Sequence, residues 1–241
     1  MDYFNNLSHD WFGYAEIKIK EIGLNIFLNK KILIYGLGKS GLSAFDFLKN
    51  KAHVYLYDDF KTKIKNLDIR SNLITQKKIS NIDFDQIILS PGIDWNKCRL
   101  SKFLKKNYYK IFTDLDVFYS FFKNDCITIT GTNGKSTTCQ LMYKVLLNQK
   151  IDARLVGNIG NPILSSKNIK KKTIFVVEAS SYQLEYKKIF RSKYTAILNL
   201  SHDHIERHKT LNKYIQSKFK LLQNQIKGQI AIVKKDDLLI K

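Results

Sequence analysis

Short runs of apolar residues alternate along this chain with longer stretches in which apolar residues recur every three or four positions. Runs of this length, rich in Ile, Leu and Val, are typical of strands buried on both faces of a parallel sheet, and the periodic stretches are typical of helices. The alternation predicts an α/β fold built from parallel sheets. The predicted strands are Lys31–Tyr35, Val54–Tyr57, Gln86–Leu89, a run beginning at Cys126, Ile174–Val177, Ala196–Leu200 and Ile230–Val233.

Two glycine turns of different type divide the pattern into two units. We predict a Rossmann-like, nucleotide-binding first unit over residues 30–122 and a second unit of P-loop type over residues 123–241. Residues 1–29 form an N-terminal extension with a possible short helix over residues 15–22.

The first turn, Gly36-Leu37-Gly38-Lys39-Ser40-Gly41, follows a predicted strand and opens a predicted helix. Asp58 ends the next strand about twenty positions later, as in the G-x-G-x-x-G fingerprint for binding a diphosphate at a helix N-terminus. The fingerprint leaves the nucleotide open, and a dinucleotide would make the protein a dehydrogenase. A further strand ends on Ser90-Pro91-Gly92, which is either a ligand-binding loop or a plain turn.

The second turn lies in Thr130-Gly131-Thr132-Asn133-Gly134-Lys135-Ser136-Thr137, between a strand and a periodic segment with Leu141, Met142, Val145 and Leu146. Its spacing departs from G-x-x-x-x-G-K-[ST], but the chemistry is that of a phosphate loop. Glycines let the backbone wrap an anion, the lysine reaches the outer phosphates, and a hydroxyl ligates Mg²⁺.

Glu178 directly follows a strand of the second unit, where a carboxylate can bind Mg²⁺ or orient water. An exposed acid at a strand end is the alternative. A segment with three histidines, His202, His204 and His208, follows the next strand. Oxygen donors dominate there, which favours Mg²⁺ with one imidazole over zinc, and Asp203 could instead be a helix N-cap.

Lys218 has an unusual position on a predicted helix over residues 211–222. At 100° per residue it lies at the centre of an apolar face, with Lys213 and Lys220 pointing away from that face. Burial disfavours an ammonium, and a neutral amine can react with CO₂ to give a carbamate, which is a carboxylate-like metal ligand. The alternative is a lysine that snorkels from the rim of the face.

Composition narrows the class of partner. The net charge is +20, but lysine is abundant throughout the chain, so we expect no nucleic-acid function and take part of the excess as attraction for an anionic small substrate. The three cysteines, Cys98, Cys126 and Cys139, are scattered, as in a reducing compartment. No apolar run is long enough for a membrane span and Asp2 and Asp10 occupy the N-terminus, so we expect a cytoplasmic protein without membrane contact.

The motifs together resemble the ATP-dependent Mur ligases. They run in family order from about residue 30 to the end. The segment from Ser180 to Glu185 and the Asp203-His204-x-x-Arg207-His208 segment favour the D-glutamate-adding members. The segments that carry the resemblance are Gly36–Gly41, Ser90–Ile93, Thr130–Thr137, Gly157–Gly160, Glu178–Glu185, Asp203–His208 and Tyr214–Lys218.

The resemblance implies ATP and Mg²⁺ as cofactors and UDP-N-acetylmuramoyl-L-alanine and D-glutamate as substrates, in peptidoglycan precursor synthesis and hence in cell shape and division. The implied chemistry is phosphorylation of the substrate carboxylate, then attack of the D-glutamate amine on the acyl phosphate. Lys135, His204 and Lys218 would be catalytic. Gly131, Thr132, Asn133, Gly134, Lys135, Ser136 and Thr137 would bind ATP, and Ser136, Glu178, His204 and carbamylated Lys218 would bind metal. The substrate would contact Gly38, Lys39, Ser40, Asp58, Ser90, Gly92, Asn158 and Ser180.

Mur ligases also carry a third, C-terminal domain that completes the ATP and amino-acid sites. This implies that the second unit is incomplete and that activity depends on the remaining portion. Residues 1–29 match no family segment. Three alternatives stay open: a non-catalytic nucleotide-binding remnant, another amide ligase such as the folate-polyglutamating type, and the dehydrogenase.

Overall fold

The computed structural model describes residues 25–60, 67–237 and 239. It shows two parallel β-sheets with helices packed on them, which confirms the predicted α/β class. None of the described helices is long and apolar enough to cross a membrane.

The first sheet contains β1 (Lys31–Tyr35), β2 (His53–Tyr57), β3 (Gln86–Leu89) and β4 (Ile111–Phe112), in the order β2-β1-β3-β4. Its helices are α1 (Lys39–Leu48), α2 (Gln76–Ile79), α3 (Ser101–Lys106) and α4 (Asp114–Phe121). Alternate residues of β1 enter different hydrophobic clusters, so the sheet is buried on both faces. The sequence pattern missed β4 because a run of two residues gives no periodicity.

The second sheet contains β5 (Cys126–Thr130), β6 (Ala153–Gly157), β7 (Ile174–Glu178), β8 (Tyr194–Ile197) and β9 (Ile230–Val233), in the order β6-β7-β5-β8-β9. Its helices are α5 (Lys135–Asn148), α6 (Ser181–Glu185), α7 (Ile205–His208) and α8 (Leu211–Gln223). The predicted strand over residues 196–200 begins two residues earlier and ends at Ile197. Strand β6 was missed because Arg154 interrupts its apolar run.

Helix α5 differs from the apolar face predicted for it. Cys139, Met142 and Leu146 face the second sheet. Leu141 and Val145 are 59% and 55% exposed on another side of the helix. The apolar residues of α5 therefore form two stripes. Among the described residues, only the stripe that faces the sheet is covered.

The two sheets share one hydrophobic cluster. Phe118 of α4 packs edge-on against Phe175 of β7, with ring centroids 4.7 Å apart, and a 3-10 turn at Ile163–Ser165 packs on α1 and α4. Of the predicted extension, the described end packs on the first sheet, since Phe27 is fully buried against Phe112. The short helix predicted over residues 15–22 lies outside the described residues.

Candidate functional site

The phosphate loop leaves β5 and enters α5 as predicted. Gly131 and Gly134 have φ angles of +153° and +79°, which residues with a side chain rarely adopt. Gly134 caps α5 without a side-chain hydrogen bond, and Ser136 and Thr137 are exposed in the first turn. The Lys135 Nζ donates to the Thr132 carbonyl at 2.7 Å. A helix N-terminus with a lysine in its first turn favours a bound anion.

Two residues that sequence reasoning did not single out hold this loop in shape. Asn199, just beyond β8, accepts from the Asn133 N–H at 2.9 Å and donates to the Asn133 carbonyl at 3.0 Å. The Tyr214 hydroxyl lies 2.9 Å from Thr132 Oγ1. Two signals could have found them: a polar side chain directly after a strand, and a tyrosine one helical turn before Lys218.

Glu178 ends β7 beside β5 and is 1% exposed, so the alternative of an exposed acid is wrong. Its Oε1 accepts from Asn158 Nδ2 at 2.8 Å, which brings these two predicted site residues together. Among the described residues its buried Oε2 has no hydrogen-bond partner. An orphaned, buried carboxylate oxygen beside a phosphate loop fits a Mg²⁺ ligand.

Only glycine fits at position 157, next to Asn158. Its φ is +107°, and a Cβ there would lie 2.3 Å from the Glu178 carbonyl oxygen. The close approach lets the Asn158 N–H donate to that carbonyl at 2.9 Å. The glycine therefore positions Asn158 beside Glu178.

Lys218 is 1% exposed in α8, so the snorkelling alternative is wrong. Its Nζ donates to the Gly131 carbonyl at 2.8 Å and lies 4.7 Å from the centroid of the Tyr214 ring. Burial, together with the charge of Lys135, lowers its pKa to about 7, against an opposing effect of Asp203. A substantial fraction of neutral amine therefore exists near neutral pH.

Lys213 and Lys220 are both predicted to point away from the Lys218 face, and Lys213 is exposed. Lys220 is half-buried and donates to the Glu185 carbonyl. Burial lowers its pKa. The helical angle alone did not show that α6 packs against this side of α8.

His204 and Lys218 both lie near the Tyr214 ring: the His204 and Tyr214 ring centroids are 6.1 Å apart, and the Lys218 amine is 4.7 Å from the Tyr214 centroid. His204 itself is the N-cap of α7, with φ +53°, so the interpretation of Asp203 as the cap is wrong. Asp203 Oδ2 lies 3.3 Å from His204 Nε2. The described residues contain no cluster of three or more His, Cys, Asp and Glu side chains suited to a metal. The predicted ligand set also uses a serine hydroxyl and a modified lysine.

In the first unit the fingerprint turn is braced by two of the predicted substrate-binding residues. Asp58 accepts from the Leu37 N–H at 2.7 Å and the Phe60 N–H at 2.8 Å. Ser90 Oγ donates to the Gly36 carbonyl at 2.6 Å, so the Ser90–Gly92 loop is tied to the fingerprint turn. Gly38, Lys39 and Gly92 are exposed, and Ser40 is half-buried. The structure therefore groups these residues at the carboxyl ends of β1, β2 and β3.

Ser180 lies at the site but its hydroxyl is engaged locally. It caps α6 by accepting from the Gln183 N–H, while Gln183 Oε1 accepts from the Ser180 N–H at 3.1 Å. This reciprocal capping box fixes the segment that follows Glu178.

Comparison with known proteins decides the family. Residues 129–241 match the family model of the Mur ligase middle domain, and a curated relative aligns with 89% of the chain at 37% identity. The chain belongs to the Mur ligase family.

The relatives of this Mur ligase chain include the UDP-N-acetylmuramoylalanine–D-glutamate ligases of Rickettsia prowazekii and Clostridioides difficile. The first is 37% identical over 221 residues, 89% of the chain and 48% of the relative. The second is 33% identical over 223 residues, 88% of the chain and 49% of the relative. The chain thus spans about half the length of the curated relatives it matches.

A solved structure shows the same fold. It is the UDP-N-acetylmuramate:L-alanyl-gamma-D-glutamyl-meso-diaminopimelate ligase from Neisseria meningitides, with a TM-score of 0.55 and 14% identity over 88% of this chain and 73% of that one.

A buried histidine, His208, packs against residues at the site of this Mur ligase chain. His208 is 3% exposed, its Nε2 lies 3.0 Å from Ser181 Oγ, and its ring stacks at 5.7 Å on Tyr182 and contacts Tyr214 at 5.6 Å. Burial, followed by the charge of Arg207, lowers its pKa to about 4. The folded protein therefore keeps this imidazole neutral in mildly acidic solution.

This predicts an acid-sensitive stability. Between its ordinary pKa of 6.5 and about 4 the unfolded chain binds a proton at His208 that the folded chain does not. Stability from this residue is present above pH 6.5 and is lost as the pH falls toward 4. From pH 7.5 to pH 5 the free energy of unfolding should fall by about 2 kcal/mol more in the wild type than in His208→Gln. Urea titrations at both pH values measure the difference; equal losses in the two proteins would contradict it.

Proposed function

We propose that this chain provides the UDP-substrate unit (residues 30–122) and most of the ATP-binding unit (residues 123–241) of a ligase that adds D-glutamate to UDP-N-acetylmuramoyl-L-alanine. The observation that carries the proposal is Lys218, a fully buried lysine whose amine touches the phosphate-loop backbone at Gly131. A carbamate on that amine would supply an anionic ligand beside the ATP phosphates. The names of the curated relatives support the D-glutamate substrate.

The proposed roles follow from the positions described. The Gly131–Thr137 backbone and Lys135 bind the ATP phosphates, and the Gly36–Gly41 turn, Asp58 and the Ser90–Gly92 loop hold the UDP moiety. Ser136 and Glu178 would hold one Mg²⁺, and His204 with carbamylated Lys218 a second. Bound Mg²⁺ would neutralise charge at the transferring phosphoryl group.

The reaction then needs two displacements. The substrate carboxylate attacks the γ-phosphorus and ADP leaves, which gives an acyl phosphate. The D-glutamate amine attacks the acyl carbon, inorganic phosphate leaves, and the amine loses a proton. Asn158, held by Glu178, would donate to the substrate near the reacting carboxylate. The product belongs to cytoplasmic peptidoglycan precursor synthesis.

The test is phosphate release from ATP in the presence of UDP-N-acetylmuramoyl-L-alanine and D-glutamate. It is run with the chain alone and with the C-terminal half of the Rickettsia prowazekii relative added in trans. We expect release that requires both substrates once the added half is present. Binding of ATP and the UDP substrate without release in either mixture would identify a binding remnant instead.

A further inference from the structure

A completely buried carboxylate joins the two units. Asp116, in the first turn of α4, has no exposed surface. Its Oδ2 accepts from the backbone N–H and the hydroxyl of Thr113, each at 3.0 Å. Its Oδ1 accepts from the backbone N–H groups of Lys188, Ile189 and Phe190 at 3.0, 2.7 and 2.9 Å. One side chain of the first unit thus binds three consecutive N–H groups of the second.

The segment bound by Asp116 reaches back to the first unit. The Lys188 Nζ donates to the carbonyls of Tyr108 and Tyr109 at 2.9 and 2.7 Å and lies 4.8 Å from the centroid of the Phe112 ring. Both the backbone and the Lys188 side chain of this segment therefore bind the first unit.

The same segment is also bound by residues in and just after α8, the helix that carries Lys218. Asn224 Nδ2 donates to the Lys188 carbonyl, and Lys220 Nζ donates to the Glu185 carbonyl. Glu185 is the last residue of α6, which begins just after Glu178 and Ser180. Residues 185–190 therefore connect the first unit to two elements of the ATP site.

We propose that Asp116 is a positioning residue that fixes the nucleotide turn Gly36–Gly41 relative to the phosphate loop, so that one substrate molecule is held by both units. The inference rests on the proposed function, in which the UDP moiety binds the first unit and the reacting carboxylate reaches the second. A ligand held at two sites gains from the second contact only when the sites are fixed at the span of that ligand. Charge-assisted hydrogen bonds from backbone N–H groups to a buried carboxylate are well suited to fix that span.

The test compares ligands that need one unit with a ligand that needs both. Calorimetry on the 241-residue chain gives Kd for UDP, for a non-hydrolysable ATP analogue with Mg²⁺, and for UDP-N-acetylmuramoyl-L-alanine. In Asp116→Asn we expect the first two Kd values to stay within about twofold. The ratio of the UDP Kd to the UDP-N-acetylmuramoyl-L-alanine Kd should fall at least about tenfold.

The matched control is Asp83→Asn, which removes a 93% exposed carboxylate of the same unit and should leave the ratio unchanged. A purely structural role for Asp116 predicts equal weakening of all three ligands, and that result, or an unchanged ratio, overturns the proposal. A wild-type chain that binds the full substrate no more tightly than UDP overturns it as well. Failure of the wild type to bind either nucleotide would instead refute the proposed function.

If Asp116→Asn does not fold, Lys188→Met decides the question. It removes the return contacts to Tyr108 and Tyr109 but keeps the backbone amides bound by Asp116. We expect the ratio of the UDP Kd to the UDP-N-acetylmuramoyl-L-alanine Kd to fall by about threefold, because the hydrogen bonds to Asp116 remain. An unchanged ratio in this variant would rule out positioning across this segment.

Discussion

Replacing Lys218 with alanine should lower ATP-dependent acyl-phosphate formation at least about 10²-fold, because the variant lacks the anionic group proposed to lie beside the phosphate loop. Formate or acetate should restore part of the activity by occupying the space that the carbamate leaves. In the chain alone, ¹³C-labelled bicarbonate should give a carbamate NMR signal in the wild type and none in the variant.

The control is Lys213→Ala, an exposed lysine of the same helix, which should keep both the NMR signal and the activity. The signal should grow as the pH rises through about 7, because only the neutral amine reacts with CO₂ and burial lowers the pKa of Lys218 to about 7. Full activity of Lys218→Ala without added carboxylate would eliminate the carbamate role.

Lys135→Ala should weaken ATP binding by about 10- to 100-fold, because charge-assisted hydrogen bonds to phosphate are worth about 1.5–3 kcal/mol. Lys39→Ala, in the first turn of α1, should leave ATP affinity nearly unchanged and weaken UDP binding instead. Both lysines lie at the start of a helix after a glycine turn. The two variants therefore distinguish the ATP site from the UDP site, although the two sites have similar sequence patterns.

Calorimetry with the ATP analogue and with UDP on both variants gives four affinities. The expected pattern is crossed, with each variant losing one ligand. The reverse pattern would exchange the ATP and UDP sites between the units.

Most of the candidate site was visible in the sequence because it follows strand ends. Lys135, Glu178 and His204 each come shortly after a strand, and parallel strands bring their carboxyl ends to one edge of a sheet. Lys218 was found by a different signal, a charge at the centre of an apolar helical face. The structure confirms its burial, which a helical projection alone leaves undecided.

Lys220 shows the limit of that projection. It lies two positions after Lys218 and points away from the apolar face, yet α6 packs against α8 and the Lys220 amine donates to the Glu185 carbonyl. Whether a lysine at the edge of a helical face meets solvent or another element depends on what packs there. Leu141 and Val145 show the converse, since their apolar stripe remains exposed.

The sequence by itself determined seven of the nine described strands, the two glycine turns and the chemical groups that follow them, because these depend on local periodicity and on backbone conformations that glycine permits. Only the tertiary structure decided which of these groups have hydrogen-bond partners. Among the described residues Glu178 Oε2 has none, whereas the Ser180 hydroxyl caps α6. The tertiary structure alone revealed the role of Asp116, whose partners in the second unit lie 72 to 74 positions away. A hydrogen bond between residues so distant in sequence leaves no local pattern, since it forms only after both units have folded and packed together.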